Sequence, residues 1–358
     1  MKRWEAIINK VLQEKEITVA EIQHLLDLKD ARAREEVFAA ARKMRERYFG
    51  PKIFAYGFVY FSTHCRNNCK FCYYRNNNEV SPRYRKEPEE IMQISQALTK
   101  SGVHLLDLTM GEDPYFYQGK KWGELLDLVQ KIKNRTQLPL MASFGQWPLD
   151  KLTDLKEAGI DWYACYQETH DKDLFNELRL EQDFSARMAL KKEAKKIGLL
   201  IEDGILLGIG EDNFSRAKSI KTMAQLDVDQ GRVMSFVPQE GTPMAALKTP
   251  ERSQELLVIA LLRLVLKDSL IPASLDVDGI EGLKSRLTAG ANVVTSLIPP
   301  AAGLKGVSNS KLDIDEGKRT IAGVKEVLQD TELKLAPVTE YQDWIDRRRR
   351  KKERELIC

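Results

Sequence analysis

Long apolar runs are missing from this 358-residue chain; no window approaches the roughly 20 consecutive apolar residues that a membrane-spanning helix needs. Residues 1–10 mix charged with apolar side chains, so the uninterrupted hydrophobic segment of a secretory signal is missing as well. Neither charge dominates. With 56 Lys and Arg against 53 Asp and Glu, the formal net charge is +3, which supplies no global attraction to nucleic acid or to an anionic membrane. No nucleic-acid and no membrane partner is therefore expected. Histidine is scarce at 4 residues and cysteine at 5. Two of the cysteines, Cys165 and Cys358, stand alone, so the set is not a disulfide framework and fits a reducing compartment. The expected location is the cytoplasm, and the two isolated thiols are expected to be inert.

The remaining three cysteines sit together in Cys65-Arg-Asn-Asn-Cys69-Lys-Phe-Cys72, a CxxxCxxC pattern with no fourth cysteine nearby. Three thiolates can hold three irons of a four-iron cube and leave the fourth iron open to a small molecule. A zinc knuckle is the alternative, but structural zinc sites usually close with four ligands in paired spacings. The only nearby substitute, His64, is adjacent to Cys65 and converges with it poorly. The spacing, with aromatic Phe71 before the last cysteine, resembles the radical S-adenosylmethionine (SAM) enzymes. That resemblance implies a 4Fe-4S cluster on Cys65, Cys69 and Cys72 and SAM as second cofactor. It also implies a low-potential electron donor such as flavodoxin or ferredoxin, and a 5'-deoxyadenosyl radical, rather than a side chain, as the reactive group.

Residues 1–49 have helical spacing, with Thr18-Val-Ala-Glu21 reading as a capping box, and Gly50-Pro51 ends the segment. Beyond it, apolar runs at 53–61, 104–110, 138–144, 161–166, 199–209, 232–237, 273–277 and 292–298 alternate with amphipathic stretches. Eight such alternations predict a (β/α)8 TIM barrel, with an open doubly wound sheet as the main alternative. The expected organisation is an N-terminal helical layer (1–51), the barrel (52–300) and a C-terminal helical extension (301–358). The basic run Arg347–Lys352 is read as a solvated helix end in preference to a site for an anionic partner.

Barrel geometry places active residues where strands end, and the chemically distinctive stretches fall there. Gly111 allows close backbone approach and Glu112 follows the second run; the pair resembles the stretch that receives the cofactor's amino group in the radical family, with Met110 in place of a first glycine. Residues 163–170, with Arg179 and Arg187 beyond them, resemble a stretch shared by biotin synthase and a hydrogenase maturase. The resemblance implies that Glu168 contacts the cofactor, Arg187 its carboxylate, and Arg179 the cofactor or a network supporting Glu168. His170 is read as a loop histidine, and Gly208-Ile-Gly-Glu211 as cofactor-proximal. Biotin synthase needs further cysteines for a second cluster. Their absence disfavours sulfur insertion.

For the substrate, Ser274, Asp276 and Asp278 share one face of the seventh strand, and if that face points to the lumen Arg232 can fork onto a carboxylate while Asp276 and Asp278 take ammonium groups. One cation beside two carboxylates suits a diamino acid; a structural salt-bridge network is the alternative. Thr63-His-Cys65 onward, Met110-Gly-Glu-Asp113 and Ser274-Leu-Asp-Val-Asp278 together resemble, across nearly the whole chain, the lysine-mutase branch of the radical family. This implies isomerisation of L-lysine to 3-methylornithine, the first step of pyrrolysine biosynthesis. A related maturase acting on another amino acid is the alternative.

Overall fold

The computed structural model describes residues 2–299 and 318–357. Eight strands form one parallel sheet: β1 (Lys52–Ser62), β2 (Leu105–Met110), β3 (Leu140–Ser143), β4 (Trp162–Ala164), β5 (Leu200–Leu207), β6 (Gln230–Ser235), β7 (Pro272–Ser274) and β8 (Val293–Leu297). Their spatial order is 6-5-4-3-2-1-8-7. The ends of that row meet through a bridge between Gln230 and Leu270, where Gly231 N donates to Leu270 O at 3.0 Å. The barrel is thus nearly closed, with β6 and β7 joined at their feet. All residues of β5 and β8 are buried, as parallel strands covered on both faces require.

Helices Pro88–Ser101, Gly119–Thr136, Leu149–Glu157, Phe184–Lys196, Asn213–Gln225, Arg252–Val265 and Leu283–Thr288 connect successive strands on the outside. The predicted seventh strand is cut short. It ends at Ser274, and residues 276–278 form a turn, so the alternation that would place 274, 276 and 278 on one face does not extend to Asp278.

The N-terminal helices are Arg3–Leu12, Val19–Leu26 and Ala31–Phe49. The capping box forms: Glu21 N donates to Thr18 Oγ1 at 3.2 Å and Thr18 N to Glu21 Oε2 at 2.7 Å. Ile22, Leu25, Val37 and Met44 bury their apolar stripe in the same core as Leu257 and Leu261 of the helix before β7. Buried Arg45 fastens this layer to the barrel by donating to the carbonyls of Leu287 and Ala291.

The C-terminal helix, Val338–Ile357, follows a two-residue strand that pairs with the foot of β1. Tyr341, Trp344 and Ile345 pack among Phe54, Tyr56, Trp162, Leu200 and Val293, plugging the amino-terminal end of the barrel. The basic run corrects the expectation of a solvated helix end. Arg348 and Lys352 continue the inward face at helical spacing. Arg348 donates to Asp229 at 2.7 Å, Asp227 at 2.7 Å and Asp268 at 3.0 Å, and Lys352 also pairs with Asp229. Arg347 and Arg350 stay exposed. Cys358 and residues 300–317 lie outside the described residues.

Candidate active site

The loop after β1 carries the three clustered cysteines. It has no regular structure of its own, so side chains and neighbouring segments hold it. Arg83 donates to the carbonyls of Thr63 (2.7 Å), Tyr74 (3.0 Å), Arg75 (2.6 Å) and Asn78 (3.2 Å), drawing both limbs of the loop onto one guanidinium. Lys70 N donates to Leu178 O at 2.8 Å, and Arg66 N to Glu112 O at 3.0 Å. Gly111 is needed for packing against this loop: a Cβ there would lie 2.3 Å from the His64 carbonyl oxygen and 2.9 Å from Cys65 Cβ. The close approach read from the sequence is present, and its partner is the cysteine loop.

Burial, with a contribution from the neighbouring cysteines, pushes the Cys65 thiol up to about 11 and the Cys72 thiol up to about 12. The thiols therefore sense one another. Among the described residues, no three His, Cys, Asp or Glu side chains converge tightly enough to hold a single metal ion. Three thiols on one loop are the donor set that iron-sulfur clusters take.

Around the thiols lies a ring of charge. Buried Glu112 accepts from Gln146 N at 2.7 Å and Arg66 Nε at 3.0 Å, with Arg187 Nη1 at 3.5 Å. Glu168 sits at the end of β4 with φ +67°, in the left-handed region a side chain rarely adopts. Two backbone bonds to β5 hold it there: Glu168 N to Gly204 O and Leu206 N to Glu168 O, both 2.9 Å. Burial raises the Glu168 carboxyl above its usual range, opposed by the charges of Arg179 and Arg187. Arg179 donates to Glu168 Oε1 at 3.0 Å and to the Tyr166 carbonyl at 3.1 Å, and its guanidinium carbon lies 5.4 Å from the Phe71 ring centre. Arg187 donates to that carbonyl at 2.8 Å. The Nε atoms of both arginines are buried and, among the described residues, have no hydrogen-bond partner. Two such orphaned donors beside a carboxylate pair are what a cofactor bearing both carboxylate and ammonium groups would satisfy.

Below this ring the lumen holds a cavity of about 220 Å³, lined by Phe58, Phe71, Cys72, Asp107, Tyr166, Glu168, Arg232, Met234, Asp276 and Ser296, among others. Arg232 is fixed by Nε on Glu202 at 2.6 Å and Nη1 on Thr295 Oγ1 at 3.0 Å, with Tyr166 beneath it at 5.4 Å. Asp276 accepts from Ser274 (2.8 Å), Ser296 (2.7 Å) and Arg319 (3.0 Å). Asp278 is elsewhere. Its carboxylate pairs with Arg286 at 2.6 Å and with Arg252, in a network that also takes in Glu255. The shortened β7 is the reason it leaves the lumen.

Sequence reasoning missed Asp107, Glu202, Ser296 and Arg319. Asp107 and Glu202 interrupt apolar strands, and Asp107 alternates with Thr109, so the same-face argument used for Ser274 and Asp276 was available. Among the described residues, Asp107 is held by hydroxyls alone, Ser143 at 2.7 Å and Thr109 at 3.1 Å. Burial, then the charge of Glu202, pushes its carboxyl up to about 7. Arg319 carries no local signal. His170 does lie in the loop after β4, but it is buried there, with Nε2 3.1 Å from Asp203, which also pairs with Lys191 at 2.5 Å. In Gly208-Ile-Gly-Glu211 the backbone donors of Gly208 and Ile209 are taken by Glu211, each at 2.9 Å. Cys165 is buried at the end of β4.

The Radical SAM superfamily profile matches residues 59–223, from β1 through the helix after β5. A 3-methylornithine synthase from Methanosarcina acetivorans is 42% identical over 333 residues, 93% of this chain and 94% of that protein. The FeFe hydrogenase maturase subunit HydE from Thermotoga maritima is 30% identical over 286 residues, 79% of this chain and 81% of its own. The crystal structure of methylornithine synthase (PylB) superposes with a TM-score of 0.89 at 41% identity, covering 94% of this chain and 99% of that one. With this likeness over nearly the whole length, and with three cysteines and two orphaned arginines meeting above a charged lumen, the chain belongs to the 3-methylornithine synthase family of radical SAM enzymes.

Proposed function

We propose that this enzyme isomerises L-lysine to 3-methylornithine, the first step of pyrrolysine biosynthesis, with both ends of the amino acid anchored in the barrel lumen. The observation that carries the reading is Asp107, a buried carboxylate that faces the cavity and, among the described residues, is held by hydroxyls rather than by a cation. A substrate ammonium is the missing charge. Asp276, the second carboxylate on the cavity wall, takes the other ammonium, and Arg232, oriented by Glu202 and Thr295, takes the carboxylate. One anion-binding and two cation-binding groups match a diamino acid.

Cys65, Cys69 and Cys72 hold the 4Fe-4S cluster in this reading, with Phe71 and Gly111 shaping its surroundings and Glu112, Glu168, Arg179 and Arg187 receiving SAM. When bound, the two cofactors supply a 5'-deoxyadenosyl radical that takes and returns a substrate hydrogen. The protein's own part is positional. A carbon-skeleton rearrangement demands that both ends of the substrate stay fixed, because a misplacement of about 1 Å can cost roughly a hundredfold in rate. Phe58, Phe71, Tyr166 and Met234 keep the lumen apolar between the charged anchors, which excludes water and stray hydrogen donors. A flavodoxin or ferredoxin is the electron donor in this reading.

The test is anaerobic reconstitution with iron, sulfide, SAM, a reductant and lysine, followed by mass and NMR analysis of the amino acids. Conversion of lysine to 3-methylornithine is expected. Lysine left intact while SAM is cleaved would overturn the reading in favour of a maturase-like enzyme acting on another amino acid.

A further inference from the structure

One side chain beside the cysteines has no part in the assignments above. Gln182 lies in the turn between Arg179 and the helix Phe184–Lys196, and its side-chain Nε2 is 3.0 Å from Cys69 Sγ. Its Oε1 accepts from Arg179 Nη1 at 3.2 Å and from Arg187 Nη1 at 3.4 Å. The orientation of an amide is ordinarily a matter of inference, but here chemistry fixes it. Guanidinium groups only donate, so the amide oxygen must face them and the N–H groups must face the sulfur. Two cations drawing on the oxygen also polarise the amide and strengthen its N–H as a donor. Arg179 Nη1 adds a second, longer contact to the same sulfur at 3.6 Å. The turn is stitched to the cysteine loop by Lys70 N on Leu178 O at 2.8 Å, which keeps donor and sulfur in register.

We infer that Gln182 sets the reduction potential of the cluster by hydrogen bonding to the Cys69 sulfur. This rests on the reading that Cys69 is a cluster ligand. A reduced cluster carries one more negative charge, spread in part over its thiolates. A donor on a thiolate therefore stabilises the reduced state and raises the potential. Gln182 touches neither substrate nor SAM in this scheme and acts through Cys69, as a positioning residue. Its oxygen shares the guanidinium of Arg187, so the same amide ties the proposed carboxylate-binding arginine to the cluster's sulfur.

The experiment is an EPR-monitored redox titration of the reconstituted enzyme and of Gln182→Met, which keeps the length of the side chain and removes the donor. At the wild-type midpoint, the reduced-to-oxidised ratio of the variant is expected to fall roughly tenfold, about 59 mV for a one-electron couple. Iron content should be unchanged. An unchanged midpoint in a variant with a full cluster overturns the inference, whatever happens to turnover. Should Gln182→Met lose its cluster, the wild-type enzyme decides. With glutamine isotopically labelled at the side-chain amide nitrogen, electron-nuclear double resonance of the reduced cluster is expected to show coupling to that nitrogen, and its absence overturns the inference. Failure of the wild-type chain to bind iron at Cys69 would instead sink the ligand assignment.

Discussion

Both ends of the barrel bury arginines among carboxylates, but in opposite conditions. At the amino-terminal end each terminal nitrogen of Arg348, and its Nε, meets an aspartate, and although burial pushes the Asp229 carboxyl upward, Lys352 and Arg348 hold it below its usual range. At the carboxy-terminal end Arg179 and Arg187 each leave a buried Nε unpartnered, and Asp107 is driven toward protonation. Sequence composition alone does not separate the two sets. What separates these two sets is satisfaction: the Arg348 network is complete, whereas buried donors left open beside a cavity mark where a ligand's charges go.

The largest break in this comparison comes from the thiols, which have no counterpart among the described residues of the plugged end. Replacing any one of Cys65, Cys69 or Cys72 with serine is expected to abolish turnover while far-UV circular dichroism stays unchanged. Wild-type turnover from any of the three variants would show that the loop is not the ligand set.

Arg348→Met attacks the plugged end. Removing Arg348 takes one of the two cations from buried Asp229 and leaves it with Lys352, at a cost of up to about 3–5 kcal/mol. Chemical denaturation should register a loss of that size, with SAM affinity intact in the folded protein. Loss of SAM binding without loss of stability would reverse the assignment of the two ends.

A slightly smaller effect is expected at the lumen. Asp276→Asn and Arg232→Met should each reduce lysine turnover by the equivalent of about 2–5 kcal/mol, with SAM binding measured by calorimetry unchanged. Asp278→Asn serves as the control. Because Asp278 pairs with Arg286 and Arg252 outside the lumen, its substitution should lower stability and leave the lysine KM alone. Equal KM effects at Asp276 and Asp278 would break the division between lumen and scaffold.

The alternation of apolar runs with amphipathic segments made the barrel legible, because parallel strands and covering helices have different periods and every strand must be buried. Much of the carboxyl rim was legible too: Cys65, Glu112 and Glu168 follow β1, β2 and β4, and Arg232 lies within β6. Three features were not. The basic run looked solvated because Arg347 and Arg350, which are exposed, sit beside Arg348, which is not, and only the Asp227, Asp229 and Asp268 cluster far off in sequence distinguishes them. Asp278 was placed on a strand that a turn ends two residues before Asp276 would have extended it. Arg319 reaches Asp276 from 43 positions away with no pattern to announce it.

Asp107 offers the finest test of the comparison, through pH. Its folded-state carboxyl lies at about 7, above the ordinary 3.8, so between those values the ligand-free folded state holds a proton that the unfolded chain has released. Its contribution to stability is complete below the unfolded value and is lost as pH rises through the folded one. Asp107→Asn removes that loss and should stabilise the ligand-free enzyme by roughly 1–3 kcal/mol at pH 8, with a gain less than half as large at pH 5 and none at about pH 3. Asp229 runs the other way: its lowered carboxyl stabilises at neutral pH and the benefit fades on acidification, so Asp229→Asn should destabilise at pH 8 and progressively less toward pH 3. Thermal unfolding of both variants across that range reads the two signs directly. A bound ammonium would then cancel the Asp107 advantage, so saturating lysine should stabilise the wild type more than Asp107→Asn at pH 8. Equal stabilisation by lysine in both proteins would remove Asp107 from the substrate site.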